Sequence, residues 1–145
     1  MKSSLIFFVL LFSLKAVNAQ TKVITGRIIN EDLEPLPNAS IHDMDTTILG
    51  STDLDGYFKM EVPSETNQLL IGAIGMEWTS IKIEEECQNL EIIVMLHVIY
   101  DFISAESEKR KRKKRFKQLP KKHKEANEKG IFKSSDPCVC YVFTE

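Results

Sequence analysis

Between residues 22 and 97 the chain is cut into seven short apolar runs by turn-forming residues, none longer than nine residues. Runs of that length, with polar and apolar residues alternating, suit half-buried strands better than helices that must bury a continuous stripe. The runs are 22–30 (KVITGRIIN), 39–43 (ASIHD), 48–53 (ILGSTD), 56–62 (GYFKMEV), 68–74 (QLLIGAI), 77–83 (EWTSIKI) and 90–97 (LEIIVMLH). Two prolines interrupt residues 31–38, and Asp53-Leu54-Asp55-Gly56, Pro63-Ser64-Glu65-Thr66-Asn67 and residues 84–89 separate later runs. Proline cannot donate to a ladder, glycine accepts positive φ, and Asp or Asn bonds its own backbone, so each joint has a reason to turn. Alternation points Phe58, Met60 and Val62 to one side, with Ile24, Gly26 and Ile28 doing the same on the first run. Ile81 and Ile83 alternate with Ser80 and Lys82. The expected fold class is all-β, a seven-strand sandwich.

Charge divides the chain where the strand pattern stops. Residues 20–103 hold 4 Lys or Arg against 15 Asp or Glu, a net of -11. Residues 104–145 hold 13 against 6, a net of +7. The overall charge of -2 conceals this polarity. The expected organisation is a leader over 1–19, a β-sandwich over 20–98 and a basic, partly helical or disordered C-terminal tail over 99–145.

The leader rests on Lys2, the apolar stretch Leu5–Leu14 and the small-residue approach Val17-Asn18-Ala19. Ten helical residues reach about 15 Å, half a bilayer core, so the stretch reads as a cleavable export signal. An exported protein is expected, in the periplasm, associated with an outer membrane or secreted, with no permanent membrane span.

Four blocks appear in order: Ile24-Thr25-Gly26-Arg27-Ile28, Glu34-Pro35-Leu36-Pro37-Asn38-Ala39, Ser51-Thr52-Asp53-Leu54-Asp55-Gly56-Tyr57-Phe58 and Ile74-Gly75-Met76-Glu77. Together they resemble the carboxypeptidase regulatory-like domain, over residues 22–97. The resemblance implies a seven-strand immunoglobulin- or transthyretin-like sandwich that does no chemistry itself. Such modules sit beside catalytic domains or at the front of TonB-dependent outer-membrane receptors. The family often places aromatic residues where this chain has Ala73 and Met76.

Residue chemistry is consistent with a module that lacks catalytic, metal and cofactor sites. His42, His97 and His123 form no paired metal motif. Asp53-Leu54-Asp55-Gly56 resembles a calcium loop, but a loop with Gly56 sixth puts Val62 at the closing carboxylate position, so a tight turn is expected. His123-Lys124-Glu125 with Pro137-Cys138-Val139-Cys140 echoes a zinc deaminase signature, yet one residue separates the cysteines where two are needed. Cys87, Cys138 and Cys140 are odd in number, so a disulfide and free thiols are both open.

The tail carries the most unusual pattern. Lys109, Arg110, Lys111, Arg112, Lys113, Lys114 and Arg115 are consecutive, and Lys117, Lys121, Lys122 and Lys124 extend them. Ser104 can cap a helix, Glu106–Arg110 and Glu108–Arg112 are spaced to pair, and Pro120 is expected to end it. Phe116 and Leu119 are too few to bury in a membrane. These eleven residues are therefore expected to dock an anionic lipid, polysaccharide or nucleic acid surface. Glu84-Glu85-Glu86 is the competing internal site, but exposed pairs contribute only ~0–1 kcal/mol each and are screened by salt. On this reading the sandwich stands without the residues beyond Ile103. The expected function is a binding or assembly module at a bacterial cell envelope, with an envelope protein or polysaccharide as partner. The alternatives are an adaptor docking through its basic tail and, more remotely, a metal-dependent hydrolase.

Overall fold

The computed structural model describes residues 20–144. The expected leader, 1–19, lies outside the described residues. The elements are β1 (Thr21–Asn30), β2 (Ser40–His42), β3 (Ile48–Ser51), β4 (Tyr57–Pro63), β5 (Gln68–Gly72), β6 (Thr79–Ile83), β7 (Asn89–Val94), α1 (Ala105–Phe116), α2 (Leu119–Glu128) and β8 (Val139–Val142). One sheet has the order β4-β1-β7 and the other β3-β2-β5-β6-β8. In the first, β1 runs antiparallel to β4 and parallel to β7. All seven expected strands are present, within a few residues of their expected bounds.

The alternation in β4 is realised, with Phe58, Met60 and Val62 buried and Tyr57, Lys59 and Glu61 exposed. They meet Ile24, Ile28, Ile92 and Val94 from their own sheet and Ile41, Leu69, Ile71 and Ile81 from the other. Gly26 sits opposite Phe58 in the ladder. A Cβ there would lie 2.1 Å from the Leu90 carbonyl oxygen and 2.7 Å from the Phe58 ring, so only glycine fits. The Asp53–Gly56 segment is a turn: Asp53 Oδ1 accepts from the Asp55 and Tyr57 amides at 2.9 and 2.8 Å, and Gly56 takes φ 78°. Ala73 and Met76 are half-buried against this core.

The run expected as a strand from residue 77 joins its ladder only at Thr79. Glu77 instead donates its backbone N–H to Met95 O at 2.9 Å, which leaves Glu77 and Trp78 on the approach to β6.

The C-terminal segment departs furthest from expectation. It is helical, of the two states foreseen, and it covers the outer face of the smaller sheet. Ile29, Ile93 and Met95 point outward there and are buried by Leu119, Ala126 and Phe132 in a second apolar cluster. Phe116 packs at its margin, edge-on to Tyr141. Pro120 does not end α1, which stops at Phe116; it stands in the first turn of α2, where a missing N–H costs nothing. An eighth strand, β8, then pairs antiparallel with β6, with Cys140 opposite Lys82. The Tyr141 hydroxyl accepts from the Ile93 amide at 2.7 Å, joining β8 to β7.

Cys87 and Cys138 form a disulfide that closes a separation of 51 residues, and Cys140 is an exposed free thiol. In the chain-entropy model a loop of that length contributes about 4 kcal/mol.

Candidate functional site

Helix α1 begins at Ser104, whose Oγ accepts from the Ser107 amide at 3.3 Å. Glu106 and Glu108 lie in its first turn and Lys113, Lys114 and Arg115 in its last, so its charges oppose the helix dipole at both ends. The basic run therefore suits a helix, and a helix divides it into two faces.

The inner face is already engaged. Arg112 Nε donates to Glu77 Oε2 at 2.6 Å, and its NH1 donates to the Thr144 carbonyl at 2.7 Å. Its guanidinium carbon lies 5.0 Å from the centre of the Phe143 ring. Arg115 pairs with Glu31, donates to the Leu96 carbonyl at 2.7 Å, and lies 3.7 Å from Glu77. Burial opposes the Arg115 charge, but hydrogen bonding and charge from Glu31 outweigh it and raise its pKa above the usual guanidinium value. Glu77 is 8% exposed, so this carboxylate is held in a largely desolvated place by two arginines.

Arg112 and Arg115, which the sequence reading counted among the docking residues, are engaged by the sandwich itself. The internal partners are Glu31 and Glu77, and none of the described ion pairs involves Glu84, Glu85 or Glu86. Partial burial strengthens the Glu77 and Glu31 pairs relative to exposed ones. The expected Glu108–Arg112 pair gives way to Glu77–Arg112, whereas Arg110 does pair with Glu106 at 3.5 Å, both largely exposed.

The outer face keeps Lys109, Arg110, Lys113, Lys114 and Lys117 exposed, and Lys121 and Lys124 continue it on α2. Lys111 is also exposed, with its ammonium 4.7 Å from the Tyr100 ring centre, and Lys122 is half-buried. Lys113, Lys114 and Lys117 have no ion-pair partner among the described residues.

The three histidines are dispersed. His42 contacts Ser40 Oγ at 2.8 Å, His97 is exposed, and His123 is 1% exposed beside the Phe132 ring. His123 Nε2 lies 3.1 Å from the Ser134 carbonyl and 3.9 Å from Glu91 Oε2. Buried Glu91 also accepts from the Lys133 and Ser134 amides. Desolvation lowers the His123 pKa, so the ring is neutral and donates from Nε2. Among the described residues no group of three His, Cys, Asp or Glu side chains is placed to hold a metal ion, and Cys138 is consumed by its disulfide.

A cleft of about 330 Å³ opens between α1 and the approach to β6, with Trp78, His97, Glu108 and Arg112 in its walls. Sequence reasoning did not mark Glu31, Glu77 or Trp78 as functional. A lone carboxylate between Met76 and the chain's one tryptophan was the available signal.

The seven-strand, two-sheet framework and its turns coincide with a family model, the CarboxypepD_reg-like domain, matched over residues 24–99. The chain belongs to that family. No curated protein matches it. CarboxypepD_reg-like domains are regulatory, non-catalytic β-sandwich modules. In this member α1, α2 and β8 lie beyond the matched residues, yet they complete a sheet and cover one face of the sandwich. No helix among the described residues is long and apolar enough to cross a membrane.

Proposed function

We propose that this CarboxypepD_reg-like protein is an exported, non-catalytic binding module of a bacterial cell envelope. It docks on an anionic surface through the outward face of α1 and the start of α2. The observation that carries this reading is the division of α1. Two arginines engage the sandwich, while Lys113, Lys114 and Lys117 stay exposed on the helix that those arginines tie down. A pinned helix presents its charges without the entropy cost that a free tail would incur on binding. Each basic residue near an anionic bilayer contributes about 1 kcal/mol.

Export is supported by the apolar leader pattern and agrees with the Cys87–Cys138 disulfide, since disulfides persist in oxidising compartments. The test is co-sedimentation of the mature chain with vesicles containing anionic phospholipid, from low to high salt. Binding is expected to fall with salt and to drop sharply in the Lys113→Glu, Lys114→Glu, Lys117→Glu variant. Binding that ignores both changes removes the helix from the mechanism.

A further inference from the structure

Trp78 is 57% exposed although it lies against a sheet. A Cβ at Gly72 would sit 2.4 to 2.8 Å from carbons of the Trp78 six-membered ring, so the ring lies directly on the glycine backbone of β5. His42 meets the indole edge-on, with centroids 5.5 Å apart and planes at 64°. Glycine below and histidine beside it fix a large aromatic side chain whose remaining surface faces solvent. A fixed aromatic of this kind, apolar on its face and polar at its N–H, suits a contact surface.

The surroundings define what could sit there. The adjoining cleft of about 330 Å³ is within the lower range of small-molecule sites, roughly 300–1,000 Å³. Glu108 and His97 line it, and neither side chain has a hydrogen-bond or ion-pair partner among the described residues. Arg112 uses Nε and NH1 on protein groups, which leaves NH2 without a protein partner among the described residues. Both signs of charge are therefore present: a strong anion would meet Glu108 and Glu77, and a cation would meet Arg112. An uncharged ligand rich in hydroxyl groups satisfies all of them, because each hydroxyl both donates and accepts. Its C–H face would lie on the indole, as an aromatic ring accepts weakly polar hydrogens. β6, which Trp78 leads into, is flanked by β5 and β8 and so offers no free edge of its own to an added strand.

We propose that the Trp78 cleft is a binding site for a neutral saccharide, with the indole as stacking platform and Glu108, Arg112 and His97 as its hydrogen-bonding groups. The site is separate from the outer basic face of α1, and binding there is insensitive to salt because the ligand carries no charge.

The chain contains a single tryptophan, so its fluorescence reports this site alone. The mature protein is titrated with neutral trisaccharides of α-linked glucose, β-linked glucose and N-acetylglucosamine. Saturable fluorescence change with at least one of them, unchanged by high salt, is expected. Calorimetry then compares variants whose thermal midpoints stay near wild type. Trp78→Ala is expected to weaken binding about 30-fold or more, the scale of an aromatic hot spot. Gly72→Ala keeps the tryptophan but lifts its ring, and is expected to weaken binding as well. Glu108→Gln is expected to weaken it severalfold. The proposal is overturned if no trisaccharide binds at millimolar concentration or if affinity is indifferent to Trp78→Ala. It is equally overturned if the tryptophan responds only to polyanions and loses that response in salt.

Discussion

Arg112 of α1 reaches across to Glu77, Nε to Oε2 at 2.6 Å, and so fastens the basic helix to the acidic sandwich at a carboxylate that is almost out of solvent. Both residues line the Trp78 cleft, and the contact turns one face of α1 inward and leaves the other outward. Glu77→Gln retains shape but removes the charge that both arginines oppose. The expected cost is about 1.5–3 kcal/mol, the range for hydrogen bonds to charged groups. Denaturant midpoints for Glu77→Gln, Arg112→Met and the double variant check it, and an additive cycle would show that the pair contributes nothing by itself.

Phe58 packs beneath Gly26 and is 5% exposed. Phe58→Ala is expected to cost ~3–5 kcal/mol, because truncating a buried aromatic leaves a cavity in the core. Chemical denaturation reads the loss directly. A midpoint near wild type would mean that the ring is not part of the core.

Truncation after Ile103 is expected to destabilise the sandwich, contrary to the sequence expectation that it stands alone. Ile29 and Ile93, both fully buried, and Met95 would face water, and β6 would lose β8. The Cys87–Cys138 link would vanish with its contribution of about 4 kcal/mol. Thermal melting and dye binding to exposed apolar surface compare the two lengths. An unchanged midpoint would show that the second cluster adds no stability.

The buried His123 has a lowered pKa, from desolvation that outweighs its contacts with Ser134, Glu91 and Asp136. The unfolded chain therefore binds this proton more readily than the folded one. Its contribution to stability is complete above the ordinary histidine value of about 6.5 and declines as pH falls below it. Melting temperature against pH is expected to drop less steeply between pH 6.5 and 5 in His123→Gln than in wild type. Parallel curves would show that His123 does not titrate on unfolding.

The strands and their turns were legible because their causes are local. Tyr57-Phe58-Lys59-Met60-Glu61-Val62 alternates on its own account, and the Asp53 side chain closes its turn within four residues. The run Ile92-Ile93-Val94-Met95 does not alternate, and read as a strand covered on both faces it would have announced that something lies outside the smaller sheet. What covers it was not readable, because Leu119, Ala126 and Phe132 are single apolar residues in a strongly charged segment. Even so, the sequence determined the sandwich, the turns, the charge polarity and the family. Tertiary structure alone decided that Arg112 and Arg115 turn inward while Lys113, Lys114 and Lys117 turn outward. It also decided that Cys138, not Cys140, meets Cys87, and that Trp78 lies on Gly72. Those outcomes depend on which distant residues share a few ångströms of space, and composition and spacing along the chain carry no record of that distance.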